Sequence, residues 1–369
     1  ACALLLAIPA FAGGKQEAKP ATTTEQKPAA QPAAQPSKYK EAPVLAELVK
    51  AGKLPPVEKR VPEEPMVVSP GDGNGLETIG KYGGVFAWDS FDAPNAQGRT
   101  NVTMPFTNMM DGRVLATGWR AYETKDNKTW TFFMRKGMKW SDGQPYTADD
   151  ILFWWEDVAQ NKELTPNVPG WMTSAGKPAV MKKIDTYAFS ITFEAPYPNF
   201  LEVLSWSSER QVMACPKHYL SQFNPKYAKK EDLDKRVKDA GVQTVAQLWE
   251  QKYDRYYNSN PELPSLNPWV VKKGIPNNPA IWERNPYFWA VDSEGNQLPY
   301  TDEYRVTIVG DQERMKLRIM NGDVTWGNVA LTGLELAKQA EKEGKVKTAV
   351  IPWPGDINSH TLMFNFLTP

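Results

Sequence analysis

Apolar positions in this 369-residue chain switch between a period of two and a period near 3.6, and each switch marks an element. The densest block is 130–157, WTFFMRKGMKWSDGQPYTADDILFWWED. Residues 130–135 are aromatic-rich and read as a strand. Lys139-Trp140-Ser141-Asp142-Gly143 follows as a tight turn with Asp142-Gly143 as its turn dipeptide. Thr147 then opens a helix with Asp150 as an acidic capping-box partner, and Ile151, Leu152, Trp154, Trp155 and Val158 give it a broad apolar face.

The same reading extends both ways. Residues 119–122 and 130–135 form a hairpin turned at Asp126-Asn127, and 184–194 a second, with Phe189, Ile191 and Phe193 alternating with polar or small residues. Further strands are expected at 85–89, 304–309, 324–326, 346–351 and 361–365. Helices are expected at 43–51 with Gly52 as stop, at 216–223, and twice within 229–257. There Gly241 is the break, and Thr244 and Gln247 cap the second helix. Asp311 caps a helix to Met320 closed by Asn321-Gly322. Thr332 with Glu335 caps another, stopped at Gly344. The proline-rich stretch 54–65 is expected to lie extended on the surface, and 200–206 is an apolar run leading into Ser205-Trp206-Ser207-Ser208.

The N-terminal end has no such pattern. Residues 1–12 are an apolar run ending Ala10-Phe11-Ala12, which reads as the end of a secretory signal peptide; lipid anchoring at Cys2 is the competing reading. Residues 13–40 are rich in Ala, Pro, Thr, Gln and Lys and read as a linker. Forty-three basic and 43 acidic residues cancel, so charge gives no argument for a nucleic-acid partner. With two cysteines and two histidines, neither a disulfide framework nor a histidine-based metal site is expected. Cys215 and His218 read as a buried thiol and a helix-surface histidine. Gly75-x4-Gly80-Lys81 has most of a phosphate loop, but Tyr82 stands where Ser or Thr is needed, and Gly83-Gly84 leads into a strand. No constellation points to catalysis, and no metal or cofactor is expected.

The order Trp119, Asp126-Asn127-Lys128, strand 130–135, Lys139 to Gly143 and Thr147 to Asp150 resembles the core signature of the family 5 extracellular solute-binding proteins of bacterial ABC importers. The run 80–84, Gly-Lys-Tyr-Gly-Gly, and 283–289, Glu-Arg-Asn-Pro-Tyr-Phe-Trp, resemble further family segments, so the likeness covers about 81–369. It implies an α/β fold, periplasmic-binding-protein-like (type II, large three-domain cluster), with mixed sheets and the second large lobe mostly missing. The chain is thus read as a fragment at both ends. The expected division is a signal remnant 1–12; a linker, short helix and extended segment 13–80; a main lobe at 81–114 and 186–340, with a helical insertion at 229–260; a small inserted domain 115–185; and the start of a second lobe at 341–369.

The resemblance further implies a secreted, non-enzymatic binder, periplasmic or extracellular and open to membrane tethering. It would capture an oligopeptide or oligosaccharide between two lobes and deliver it to ABC permease membrane subunits, as a monomer when full length. A secreted glycan-active hydrolase and a non-transport sensor on the same fold are the alternatives. Ligands of open α/β sheets sit beyond the carboxyl ends of strands. The expected contacts are therefore Trp88, Asp89, Ser90 and Asn95, then Ser205, Trp206 and Ser207, then Trp326 and Asn328. The tryptophans lean toward a sugar ligand, and they serve equally well as core.

Overall fold

The computed structural model describes residues 37–72, 77–91, 103–108, 113–205, 212–254, 260–330, 333–351 and 360–364. An antiparallel sheet takes the order Trp119–Thr124, Thr129–Met134, Ala188–Thr192, Val180–Asp185. Its first hairpin turns where expected. Asn127 takes φ 53°, and the Asp126 carboxylate accepts the Lys128 and Thr129 N–H groups, both at 2.9 Å. On strand Thr129–Met134 the residues Trp130, Phe132 and Met134 are buried and alternate with half-buried neighbours.

Above this sheet lies the helix that Thr147 opens. The Asp150 carboxylate accepts the Thr147 N–H at 2.9 Å, closing the capping box. The α-helix Ala148–Leu152 then widens into a π-helix, Phe153–Ala159. One apolar face is expected from the sequence, yet Phe153, Trp154, Trp155, Asp157, Val158 and Ala159 are all buried. The reason is a second cover. The Asp157 carboxylate accepts from the Lys226 ammonium and from the Tyr227 hydroxyl at 2.5 Å, and Trp249 packs against Phe153. Trp249 comes from the helix Val245–Tyr253, which follows Lys230–Asp239 and carries the expected Thr244–Gln247 capping box.

A second, mixed sheet has the order Trp269–Lys273, Ala280–Arg284, Glu303–Ile308, Val85–Ser90, and its last pair is parallel. Ala280, Trp282, Tyr304 and Val306 form its core, joined by half-buried Phe86 and Trp88. A third sheet pairs Trp326–Ala330, His360–Phe364 and Lys347–Ile351. Helices Gln312–Asn321 and Leu334–Lys342 cover a separate small core of Ile319, Val324, Ala337, Ala340 and Val346. Asp311 caps the first helix, accepting the Arg314 N–H at 2.6 Å, and Gly322 ends it at φ 76°.

Three expectations change, and one apolar run that had no assigned element gains one. The strand expected at 324–326 begins at Trp326, because Thr325 is held by another strand. The last helix has Gly333 at its N-cap, and Thr332 lies outside the described residues. The apolar run from residue 200 is a short helix, Phe200–Leu204. Residues 54–65 are not an extended surface strap. They make a 3-10 turn at Val57–Lys59, with Val57, Arg60 and Val61 buried. Its prolines suggested an extended surface path, but a buried arginine anchors the stretch. Arg60 donates to the Pro55 carbonyl and the Gln297 amide oxygen, both at 2.9 Å, and to the Pro286 carbonyl and Glu41. Beyond it, Met66–Val68 pairs in parallel with Ala290–Asp292.

Candidate functional site

Strand Val85–Ser90 and its parallel neighbour Glu303–Ile308 end side by side, with Ser90 opposite Ile308. Val85, Phe86, Trp88 and the β-branched residues of 303–308 suit a pleated, half-buried surface. Alternation sends Trp88 to the face of Phe86 and Asp89 to the other. The outer edge of the strand is occupied. Thr325 donates its N–H to the Ala87 carbonyl at 2.8 Å, and its hydroxyl accepts the Ala87 N–H at 3.0 Å.

Trp326 comes next and meets Trp88 edge-to-face, with ring centroids 5.9 Å apart and planes at 68°. Both indoles are half-buried. On the opposite face Asp89, 1% exposed, takes Nε of Arg318 on Oδ2 at 2.7 Å and Nη2 on Oδ1 at 3.4 Å. That pairing holds the Arg318 guanidinium above its ordinary value: the hydrogen bond to Asp89 raises it more than partial burial lowers it.

Beside this junction is a cavity of about 130 Å³, lined by Asn278, Thr307, Ile308, Val309, Arg314 and Arg318. The Asn278 amide continues the strand end, donating to the Ile308 carbonyl at 2.8 Å and accepting its N–H at 2.9 Å. Two arginines one helical turn apart and a polar strand end suit polar groups of a ligand.

Three of the residues singled out from the sequence are thus brought together: Trp88, Asp89 and Trp326. Ser90 is buried at the strand end, where its carbonyl accepts the Val309 N–H at 2.9 Å. Ser205 lies elsewhere. It ends the helix Phe200–Leu204 and donates its hydroxyl to the Leu201 carbonyl at 2.8 Å, within the large aromatic core. Asn328 sits on strand Trp326–Ala330 opposite Leu362. Asn95, Trp206 and Ser207 lie outside the described residues. Sequence reasoning missed Arg318 and Thr325. Each pairs with a residue more than 220 positions away, and no local pattern announces such a contact.

Away from this junction, Cys215 is a buried free thiol, as expected. Burial, with Asp150 nearby, pushes it well above its ordinary range. His218 is part-exposed, with Nε2 2.7 Å from Asp142 Oδ2. Among the described residues no cluster of three or more His, Cys, Asp or Glu side chains could hold a metal, and no helix is long and apolar enough to cross a membrane.

Residues 113–369 match the model of the bacterial extracellular solute-binding proteins, family 5 middle region. The periplasmic alpha-galactoside-binding protein of Rhizobium meliloti is 30% identical over 306 residues, 73% of this chain and 39% of that protein. The periplasmic oligopeptide-binding protein OppA of Salmonella typhimurium is 27% identical over 263 residues, 66% of this chain and 41% of its own. Among solved structures, an oligopeptide-binding protein OppA superposes with a TM-score of 0.77 at 33% identity, over 85% of this chain and 49% of that one. The periplasmic binding protein MelB of Agrobacterium fabrum, in complex with stachyose, gives 0.64 at 26% identity, over 83% and 46%. The chain therefore spans less than half the length of these relatives, and its α/β fold is that of periplasmic binding proteins.

Proposed function

The chain belongs to the bacterial extracellular solute-binding proteins of family 5, and on that premise we propose that it captures an oligopeptide or oligosaccharide and delivers it to the permease of an ABC transporter. The observation that carries this reading is the paired ending of Val85–Ser90 and Glu303–Ile308 at the junction with the third sheet. Open α/β sheets take ligands at such strand ends. Similarity both to a protein named for alpha-galactosides and to proteins named for oligopeptides supports an oligomeric ligand.

The indoles of Trp88 and Trp326 give this edge flat apolar surface beside polar backbone, a combination suited to sugar rings. Ser90, Asn95, Trp206, Ser207 and Asn328 are the further candidate contacts. Asp89 is engaged by Arg318 and acts through that pairing. Capture proceeds by closure of two lobes around the ligand, without turnover. The protein works in the periplasm or outside the cell, with 13–40 as a tether, and the small domain inserted in the main lobe runs past the expected end at 185 to include strand Ala188–Thr192, which pairs with Thr129–Met134.

The test is a thermal-shift titration with stachyose and with tetraalanine, followed by chromatography of the recovered probe. A ligand at 100 times its Kd stabilises the folded chain by about 2.7 kcal/mol and raises Tm. A panel of oligosaccharides and oligopeptides giving no shift sinks the binding reading. A shortened probe would favour a hydrolase.

A further inference from the structure

One continuous segment, 303–326, grips strand Val85–Ser90 at successive points. Its strand Glu303–Ile308 pairs with it in parallel. The ladder runs past the strand end, Val309 N–H donating to the Ser90 carbonyl at 2.9 Å and Gly310 N–H to the Phe91 carbonyl at 3.1 Å. Helix Gln312–Asn321 then doubles back and sets Arg318 on Asp89. Thr325 closes over Ala87 on the outer edge.

We infer that Arg318 is a positioning residue for ligand capture: by holding the buried Asp89 carboxylate it fixes the carboxyl end of strand Val85–Ser90 in one register against the third sheet. The role in capture rests on the binding reading above. Asp89 is nearly inaccessible to water, and a carboxylate withdrawn from water needs a cation or several donors. Arg318, itself 30% exposed and 3.8 Å from Asp323, supplies the cation from outside the sheet. Without it the carboxylate must reach solvent, and the strand end must turn to let it. Ser90 and Phe91 follow directly in the chain, so a change at Asp89 passes into the edge that meets the ligand. The small core beside the third sheet and the core of the second sheet are separate clusters. The pair is therefore a polar tie between two apolar bodies.

The experiment separates positioning from stability. In the 369-residue chain, D89N/R318M removes both charges, so no buried charge is stranded and Tm stays near that of the parent. Amide exchange at Val309 and Gly310 is expected to quicken, because those groups report the zipped strand end. Binding of whichever probe the parent takes, stachyose or tetraalanine, is expected to weaken by about tenfold, the scale of one lost charge-assisted contact. R318K keeps the cation with a single donor group, is expected to fold even if the double variant does not, and should show a smaller change of the same sign. Unchanged exchange at Val309 and Gly310 in both variants overturns the proposal. Faster exchange with unchanged probe affinity overturns the role in capture. Faster exchange in the variants of a parent chain that takes no probe of the oligosaccharide and oligopeptide panel overturns the binding reading and leaves the control of the strand end standing.

Discussion

The His218 imidazole sits 2.7 Å from the Asp142 carboxylate, joining the Lys139–Gly143 turn to the helix Lys217–Leu220 across 76 positions of sequence. Burial pushes Asp142 up, but the His218 hydrogen bond and the Gln144 N–H more than offset it, and the carboxyl ends below its usual 3.8. A carboxyl depressed in the folded state adds stability above its unfolded value and loses it as pH falls through the folded one. Acid titration of stability from about pH 5 to pH 2 should therefore be shallower for D142N than for the parent. Both side chains are about one-third exposed (32% and 38%), so the difference should be modest, about 0.5 kcal/mol. Superimposable titrations would remove the pair from the pH response.

Arg60 should be the costliest single loss in the N-terminal stretch. Its side chain is 0% exposed and ties Glu41, Pro55, Pro286 and Gln297 together. R60M strands Glu41 and takes this donor from the Pro55, Pro286 and Gln297 oxygens, and should lower unfolding free energy by about 3–5 kcal/mol in a urea melt. E41Q/R60M should recover part of that loss. A cost below about 1 kcal/mol would mean the stretch is not held by this residue.

Gly143 is fixed by two separate constraints. Its φ is 88°, and an added Cβ would lie 2.8 Å from the Tyr287 hydroxyl oxygen. G143A should cost about 1–2 kcal/mol from the backbone conformation alone, with the contact adding to it. Differential scanning calorimetry reads this as a lower Tm, and an unchanged Tm contradicts both constraints.

Asp157 holds the second cover on the π-helix through Lys226 and Tyr227. D157A leaves the Tyr227 hydroxyl without this acceptor and opens space in the aromatic core, and should cost about 2–3 kcal/mol. Y227F removes one hydrogen bond and should cost about 1 kcal/mol. Limited proteolysis within 224–253 checks that the loss is local. Equal costs for the two variants would show that Tyr227 carries the whole contact.

Local chemistry was legible in the sequence. The Thr147–Asp150 and Thr244–Gln247 capping boxes, the Asp311 cap, the Asp126-Asn127 turn and the strand at 85–90 each depend on residues a few positions apart, so their patterns survive in one dimension. The ordered block from Trp119 to Asp150 pointed to the family for the same reason, and the family model matches residues 113–369. What sequence could not supply were pairings whose partners meet only after folding. Arg60 reaches Gln297 across 237 positions, Arg318 reaches Asp89 across 229, and a helix expected to show one apolar face also buries Asp157, which finds Lys226 and Tyr227. Trp88 and Trp326 were readable as candidates, but nothing local says that the two rings touch. A charge that must be buried takes its partner from whichever element the topology brings within 3 Å, and that choice belongs to the tertiary structure alone.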